Sequence, residues 1–161
     1  MKKMILMMSV AMFALTACNN EPGVKTALGE YTYRLSGSAR IYDAETDNAV
    51  QVTLTPESGT MTILKGDEAN KGIAQVFADD GNTYEMPLIF SHDTVWVDPL
   101  YRDIVVNIDG KDELFYIVIA GEGQVLDKAL SIHLSYNGRC RDTSKSLNLT
   151  AGDVHMNCKK Q

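Results

Sequence analysis

Side chains able to ligate a metal or move a proton are scattered through this 161-residue chain. Its three histidines, His92, His133 and His155, show no ligand spacing. His133 falls on the polar side of an alternating stretch, the setting of a solvated side chain. Asp79, Asp80, Asn82 and Glu85 crowd one turn. A calcium loop of the EF-hand type spreads its oxygen ligands over twelve residues at fixed alternate positions, so Asp80-Gly81-Asn82 reads instead as a hairpin turn. Asp112-Glu113 also sits in a turn, where solvated charge is expected rather than a glycosidase acid pair. Gly-x-Ser-x-Gly, His-Glu-x-x-His and phosphate-cradling loops are missing from the sequence. These patterns predict no catalytic set, no metal ligands and no cofactor.

The stretch His92-Asp93-Thr94-Val95-Trp96-Val97-Asp98 is the most informative. Alternation puts Val95 and Val97 on one side of a strand and His92, Thr94, Trp96 and Asp98 on the other. The single tryptophan therefore shares a face with polar groups, as at many binding surfaces. In a barrel that face would line a cavity mouth; a tryptophan covering the barrel end or packed under a loop is the alternative. Asp93-Thr94-Val95 resembles the Asp-Ser/Thr-apolar sequon of a general O-glycosylation system in some Gram-negative gut bacteria.

The elements that must carry these residues have a period of two. Val50, Val52 and Leu54 alternate with polar residues, as do Leu130, Ile132, Leu134 and Tyr136, which is the pattern of half-buried antiparallel strands. About ten strands are expected, near 31–42, 48–55, 59–65, 72–78, 83–91, 94–98, 103–109, 113–126, 129–137 and 146–157. Turn signals fall at Gly66-Asp67-Glu68, Asp80-Gly81-Asn82, Asp109-Gly110-Lys111 and Asn137-Gly138. A weak repeat relates Gly37–Asp43 to Gly121–Asp127, each a glycine-relieved strand before an alternating return strand. No helical stripe follows the N-terminal segment, beyond one possible turn over Glu68–Lys71.

Ten short strands without helices leave few ways to bury sheet edges. The expectation is a single all-β domain over residues 30–161, an antiparallel up-and-down barrel or a closed β-sandwich. The strand rhythm over residues 30–140 resembles the calycin or lipocalin-like domains of small bacterial lipoproteins. The lipocalin Gly-x-Trp is replaced by Tyr31-Thr32-Tyr33 and Gly37, which keeps an immunoglobulin-like sandwich open. The resemblance implies a non-catalytic binding module for a small apolar or amphipathic ligand. The alternative is a cell-surface domain with a filled core that contacts a protein or glycan.

Residues 1–17 have the form of a signal peptide: Lys2 and Lys3, then an apolar run from Met4 to Leu15, then small residues. That run is too short to span a bilayer as a helix. Leu15-Thr16-Ala17-Cys18 resembles the lipobox of bacterial lipoproteins. The resemblance implies cleavage before Cys18, a diacylglyceryl group on its sulfur, and a lipid-anchored tether over residues 18–29. Asn19 after the cysteine, in place of aspartate, implies the outer membrane, facing periplasm or cell surface. Lys2 and Lys3 leave with the signal, so the mature chain is more acidic than the full chain's −6. Such a charge disfavours nucleic acid as a partner. With Cys18 lipidated, Cys140 and Cys158 remain in a compartment that permits disulfides. A Cys140–Cys158 bridge is expected, with a free buried pair as the alternative.

Overall fold

The computed structural model describes residues 22–161; the expected signal peptide, Cys18 and the first part of the tether lie outside them. Among the described residues there are one helix, α1 (Pro22–Ala27), and nine strands. The strands are β1 (Gly29–Asp43), β2 (Asn48–Thr53), β3 (Glu57–Lys65), β4 (Lys71–Ala78) and β5 (Thr83–Ser91). They continue with β6 (Thr94–Ile108), β7 (Lys111–Leu126), β8 (Ala129–Cys140) and β9 (Leu147–Lys160). Every pairing is antiparallel, the order is β2-β1-β3-β4-β5-β6-β7-β8-β9, and β1 pairs again with β9. This closes an eight-stranded up-and-down barrel, an architecture compatible with a calycin-like fold. β2 adds no stave. It follows β3's line along the far half of β1, separated by Leu54, Thr55 and Pro56.

Alternation fills the interior. Tyr31, Met61, Met86, Phe90, Phe115, Ile117, Ile132 and Met156 are almost wholly buried, so the middle of the barrel is a packed core. Asp109-Gly110 forms the expected two-residue turn, with φ of 52° and 83° at its two residues, as a type I′ hairpin requires. Gly121 belongs to a strand: a Cβ there would stand 2.5 Å from the His133 carbonyl oxygen, so only glycine lets β7 and β8 approach so closely.

Four expectations need correction. Strands 94–98 and 103–109 are one strand, β6, continuous through a bulge between Val97 and Leu100. Asn137-Gly138 is no turn but lies inside β8, paired with Val118 and Ile117 on one side and Thr150 and Leu149 on the other. Pro22–Ala27, read as tether, is a helix whose Val24 and Ala27 are fully buried. It closes the barrel end where β1 begins: the Tyr31 hydroxyl donates to the Ala27 carbonyl at 2.8 Å, and Lys160 Nζ donates to the Thr26 carbonyl at 2.7 Å.

The fourth correction is the disulfide. Cys140 and Cys158 are both free and buried. Cys158 pairs with Leu130, ten residues along β8 from Cys140, or about 33 Å at ~3.3 Å per residue. A disulfide needs Cα atoms within about 4.4–6.8 Å. The two cysteines sit at opposite ends of one long hairpin, so a short loop in sequence became a long distance in space.

Candidate functional site

The end of the barrel opposite α1 is open. Its key residue, Arg102, points inward because of the β6 bulge. Before the bulge, odd positions face the core, as Val95 and Val97 do. The register jumps from Val97↔Gly121 to Leu100↔Ile119, so one extra residue is absorbed at Asp98-Pro99. Afterwards even positions face inward, with Val106 buried and Arg102 and Ile104 half-buried. Proline lacks the N–H of a regular ladder and is tolerated at such a bulge. A one-residue shift reverses every following side chain.

The same bulge ends the contact between β5 and β6. They pair only from Leu88↔Val97 to Ser91↔Thr94, and beyond it the strands part. Arg102 bridges the gap. Its guanidinium carbon lies 4.0 Å from the centre of the Tyr84 ring on β5, and Nη2 stands 3.5 Å from Glu57 Oε2 at the start of β3. Glu57 Oε1 accepts from the hydroxyls of Tyr33 (2.8 Å) and Tyr84 (3.0 Å). Tyr136 on β8 completes the group from the far wall. Burial raises the pKa of the Tyr33, Tyr84 and Tyr136 hydroxyls, and the charge of Glu57 adds to it. All three therefore stay neutral donors at physiological pH.

Above this polar floor opens a cavity of about 650 Å³, within the range of small-molecule sites. Leu35, Leu54, Pro56 and Ile104 supply apolar wall, and Val105 and Leu114, paired and exposed on the outer face of β6 and β7, form its outer lip. Asp79, Asp80, Asp103 and Asp112 stand around it. They are tied into the rim: Asp79 accepts from the Ser58 hydroxyl at 2.7 Å, Asp80 from the Asn82 amide at 2.9 Å, and Asp103 from Arg141 Nε at 2.8 Å. The Asp80-Gly81-Asn82 hairpin is thus the turn expected.

The tryptophan stripe lies elsewhere. His92 and Asp93 make the β5–β6 turn, with His92 at φ 55°. Thr94 is half-exposed, and Trp96 and Asp98 are exposed on the outer wall, while Val95 and Val97 are buried. The facing is as alternation required, but the stripe runs along the outside of the plugged half, and none of its residues lines the cavity. Glu57 and Arg102 escaped sequence reasoning because one preceded the expected third strand and the other fell between two expected strands. Their signal was a charged residue at an inward-facing position.

Two further groups stand on the outer wall. Tyr101 and Tyr116 stack with ring centres 5.8 Å apart, and the Arg141 guanidinium lies 4.1 Å from the Tyr116 ring. His133 and His155, far apart in sequence, are opposed across β8 and β9 with their rings stacked at 4.7 Å. No family model, curated protein or solved structure matches this chain.

Proposed function

We propose that this chain is a membrane-anchored, non-catalytic binding protein that takes a small amphipathic molecule at the open end of its barrel. The observation that carries the reading is the cavity where β5 and β6 part, with apolar walls above the Glu57–Arg102–tyrosine floor. The filled interior confines the ligand to this mouth. An apolar body would lie against Leu54 and Ile104 and extend to the lip at Leu114, and a polar head would reach Glu57 and the tyrosines. Carboxylates outnumber the one lining arginine, so an uncharged or cationic head suits the site and an anionic one is repelled. Anchoring rests on the lipobox-like Leu15-Thr16-Ala17-Cys18, and delivery to the outer membrane follows from that reading. With α1 at the anchored end, the mouth would face away from the bilayer.

Titration with the uncharged amphipathic dye Nile red tests the site. Saturable binding at one dye per chain, weakened by Leu114→Asp and unchanged by Trp96→Ala, is the expected result. Absence of saturable binding, or equal binding by Leu114→Asp, rejects the reading. A second reading, a surface domain contacting a glycan, is favoured by the Tyr101–Tyr116 shelf beside Asn137, Arg139 and Asn148. It predicts glycan binding lost in Tyr116→Ala, with the dye result negative.

A further inference from the structure

We infer that the outer wall of the barrel carries a binding site for a borderline divalent transition-metal ion such as Zn²⁺, formed by His133, His155 and Asp153. The antiparallel register of β8 and β9 sets His133 directly opposite His155, and the two imidazoles are parallel within 4°. Asp153 lies two residues before His155 on the same outer face of β9, beside a bulge. Leu134 pairs with Val154 but Tyr136 pairs with Ala151, so Gly152 and Asp153 together oppose the single residue Ser135. Two consecutive residues are thereby exposed between buried Ala151 and Val154. Asp153 Oδ1 then stands 2.8 Å from His155 Nε2. Residues two apart on a strand share a face, so Asp153 and His155 project together from the outer wall, and the bulge leaves Gly152 exposed beside them.

The ligand atoms of the three residues all lie within 4.8 Å of one another. Tetrahedral coordination with bonds of ~2.0–2.1 Å places ligand atoms about 3.4 Å apart. Small rotations of three exposed side chains achieve that. Two imidazole nitrogens and one carboxylate suit Zn²⁺, Cu²⁺ or Ni²⁺; Ca²⁺ and Mg²⁺ demand oxygen-rich shells. Glu122, exposed and paired by register with His133 across β7, is placed to donate a second carboxylate. The remaining register partners are Ser36 for His155 and Ser38 for Asp153, so no lysine or arginine is paired with the three ligands. Nothing in this site touches the barrel mouth, and it stands independently of the function proposed above.

Trp96 is a built-in reporter. The outer-wall row Trp96–Glu122–His133–His155 crosses β6, β7, β8 and β9 in register. At ~4.8 Å per strand, the indole lies about 10 Å from His133, close enough for bound Cu²⁺ or Ni²⁺ to quench it. It is the only tryptophan in the chain. The protein would be purified without a polyhistidine tag, titrated with Zn²⁺ by calorimetry and with Ni²⁺ by tryptophan emission. The expected result is one saturable site for each ion, with Ni²⁺ quenching Trp96 and Zn²⁺ displacing the quencher. His133→Ala and His155→Ala should each weaken binding by more than the roughly 10–100-fold that loss of a mere outer-shell partner causes. His92→Ala should leave it unchanged. Native protein without saturable uptake, or uptake and quenching that survive in His133→Ala and His155→Ala, would overturn the assignment.

Discussion

Replacing Arg102 by methionine tests how the open end is held together. Methionine keeps most of the apolar stem and removes the charge, so Glu57 loses its cation while its bonds from Tyr33 and Tyr84 remain. Breaking a fully buried ion pair at one partner destabilises by about 3–5 kcal/mol, whereas exposed pairs contribute about 0–1 kcal/mol. Side-chain exposures of 19% and 16% place this pair between those limits. The lost contact with the Tyr84 ring adds about 0.5–1 kcal/mol. Together these give an expected loss of about 2–3 kcal/mol. With an unfolding entropy near 2.1 cal/mol/K per residue, a domain of about 140 residues should lose roughly 7–10 °C in Tm. Glu57→Gln, still an acceptor for both tyrosines, should soften the effect: in that background Arg102→Met should cost at least ~1 kcal/mol less. Calorimetry and urea denaturation of the four proteins complete the cycle. A loss below about 0.5 kcal/mol, or the same loss with and without Glu57, would refute the argument that this pair is shielded from water.

Cys140 and Cys158 should resist iodoacetamide in the native protein, since both are buried and burial pushes the Cys158 thiol up to about 12; both should alkylate in denaturant without reductant, and a peptide joining them would contradict the fold. Burial, with the Cys158 charge second, raises Tyr31 from 10.0 to about 12. Its contribution to stability is complete below pH 10 and disappears as pH rises through 12, so the denaturation midpoint should fall across that window; a flat midpoint would count against it. Deleting Pro99 should remove the bulge and turn Leu100, Arg102, Ile104 and Val106 the wrong way, abolishing cooperative unfolding, while Pro99→Ala should be tolerated. Trp96 is 38% exposed, so Trp96→Ala should cost well under the ~3–5 kcal/mol of a core tryptophan, and acrylamide should quench its emission in the wild type.

Much of the barrel was legible because one face of nearly every strand is buried, and that forces alternation which survives in sequence. What failed were places where backbone geometry departs from the local signal. The expected strand stopped at Asp98, yet β6 runs on through a bulge at Asp98-Pro99. Gly138 looked like a turn, yet its missing side chain admits the neighbouring strand β7, whose Tyr116 carbonyl oxygen would lie 2.2 Å from a Cβ. α1 is one short helix with two buried apolar residues, too few to show a period. The site suffered most from these same departures. The parity of Arg102 depends on the β6 bulge, and the meeting of His133 with His155 depends on a register that no spacing rule encodes.

Closure of the barrel by β1 and β9 also governs how the chain can fold. Tyr31 pairs with Lys160 and Asp43 with Leu147, so the first strand waits for the last. Until β9 is available, β1 and β8 each present an unpaired edge, the form of strand most prone to join another chain. Contacts this distant in sequence are slow to form, placing such barrels among the millisecond-to-second folders. From β3 to β9 each stave can zip to the next through a short hairpin, while β1 meets β3 across the intervening β2, and the ring is incomplete until the fourteen-residue β9 arrives. Closure therefore waits until β9 is available, and a chain shortened before Leu147 would retain its hairpins but expose two sticky edges.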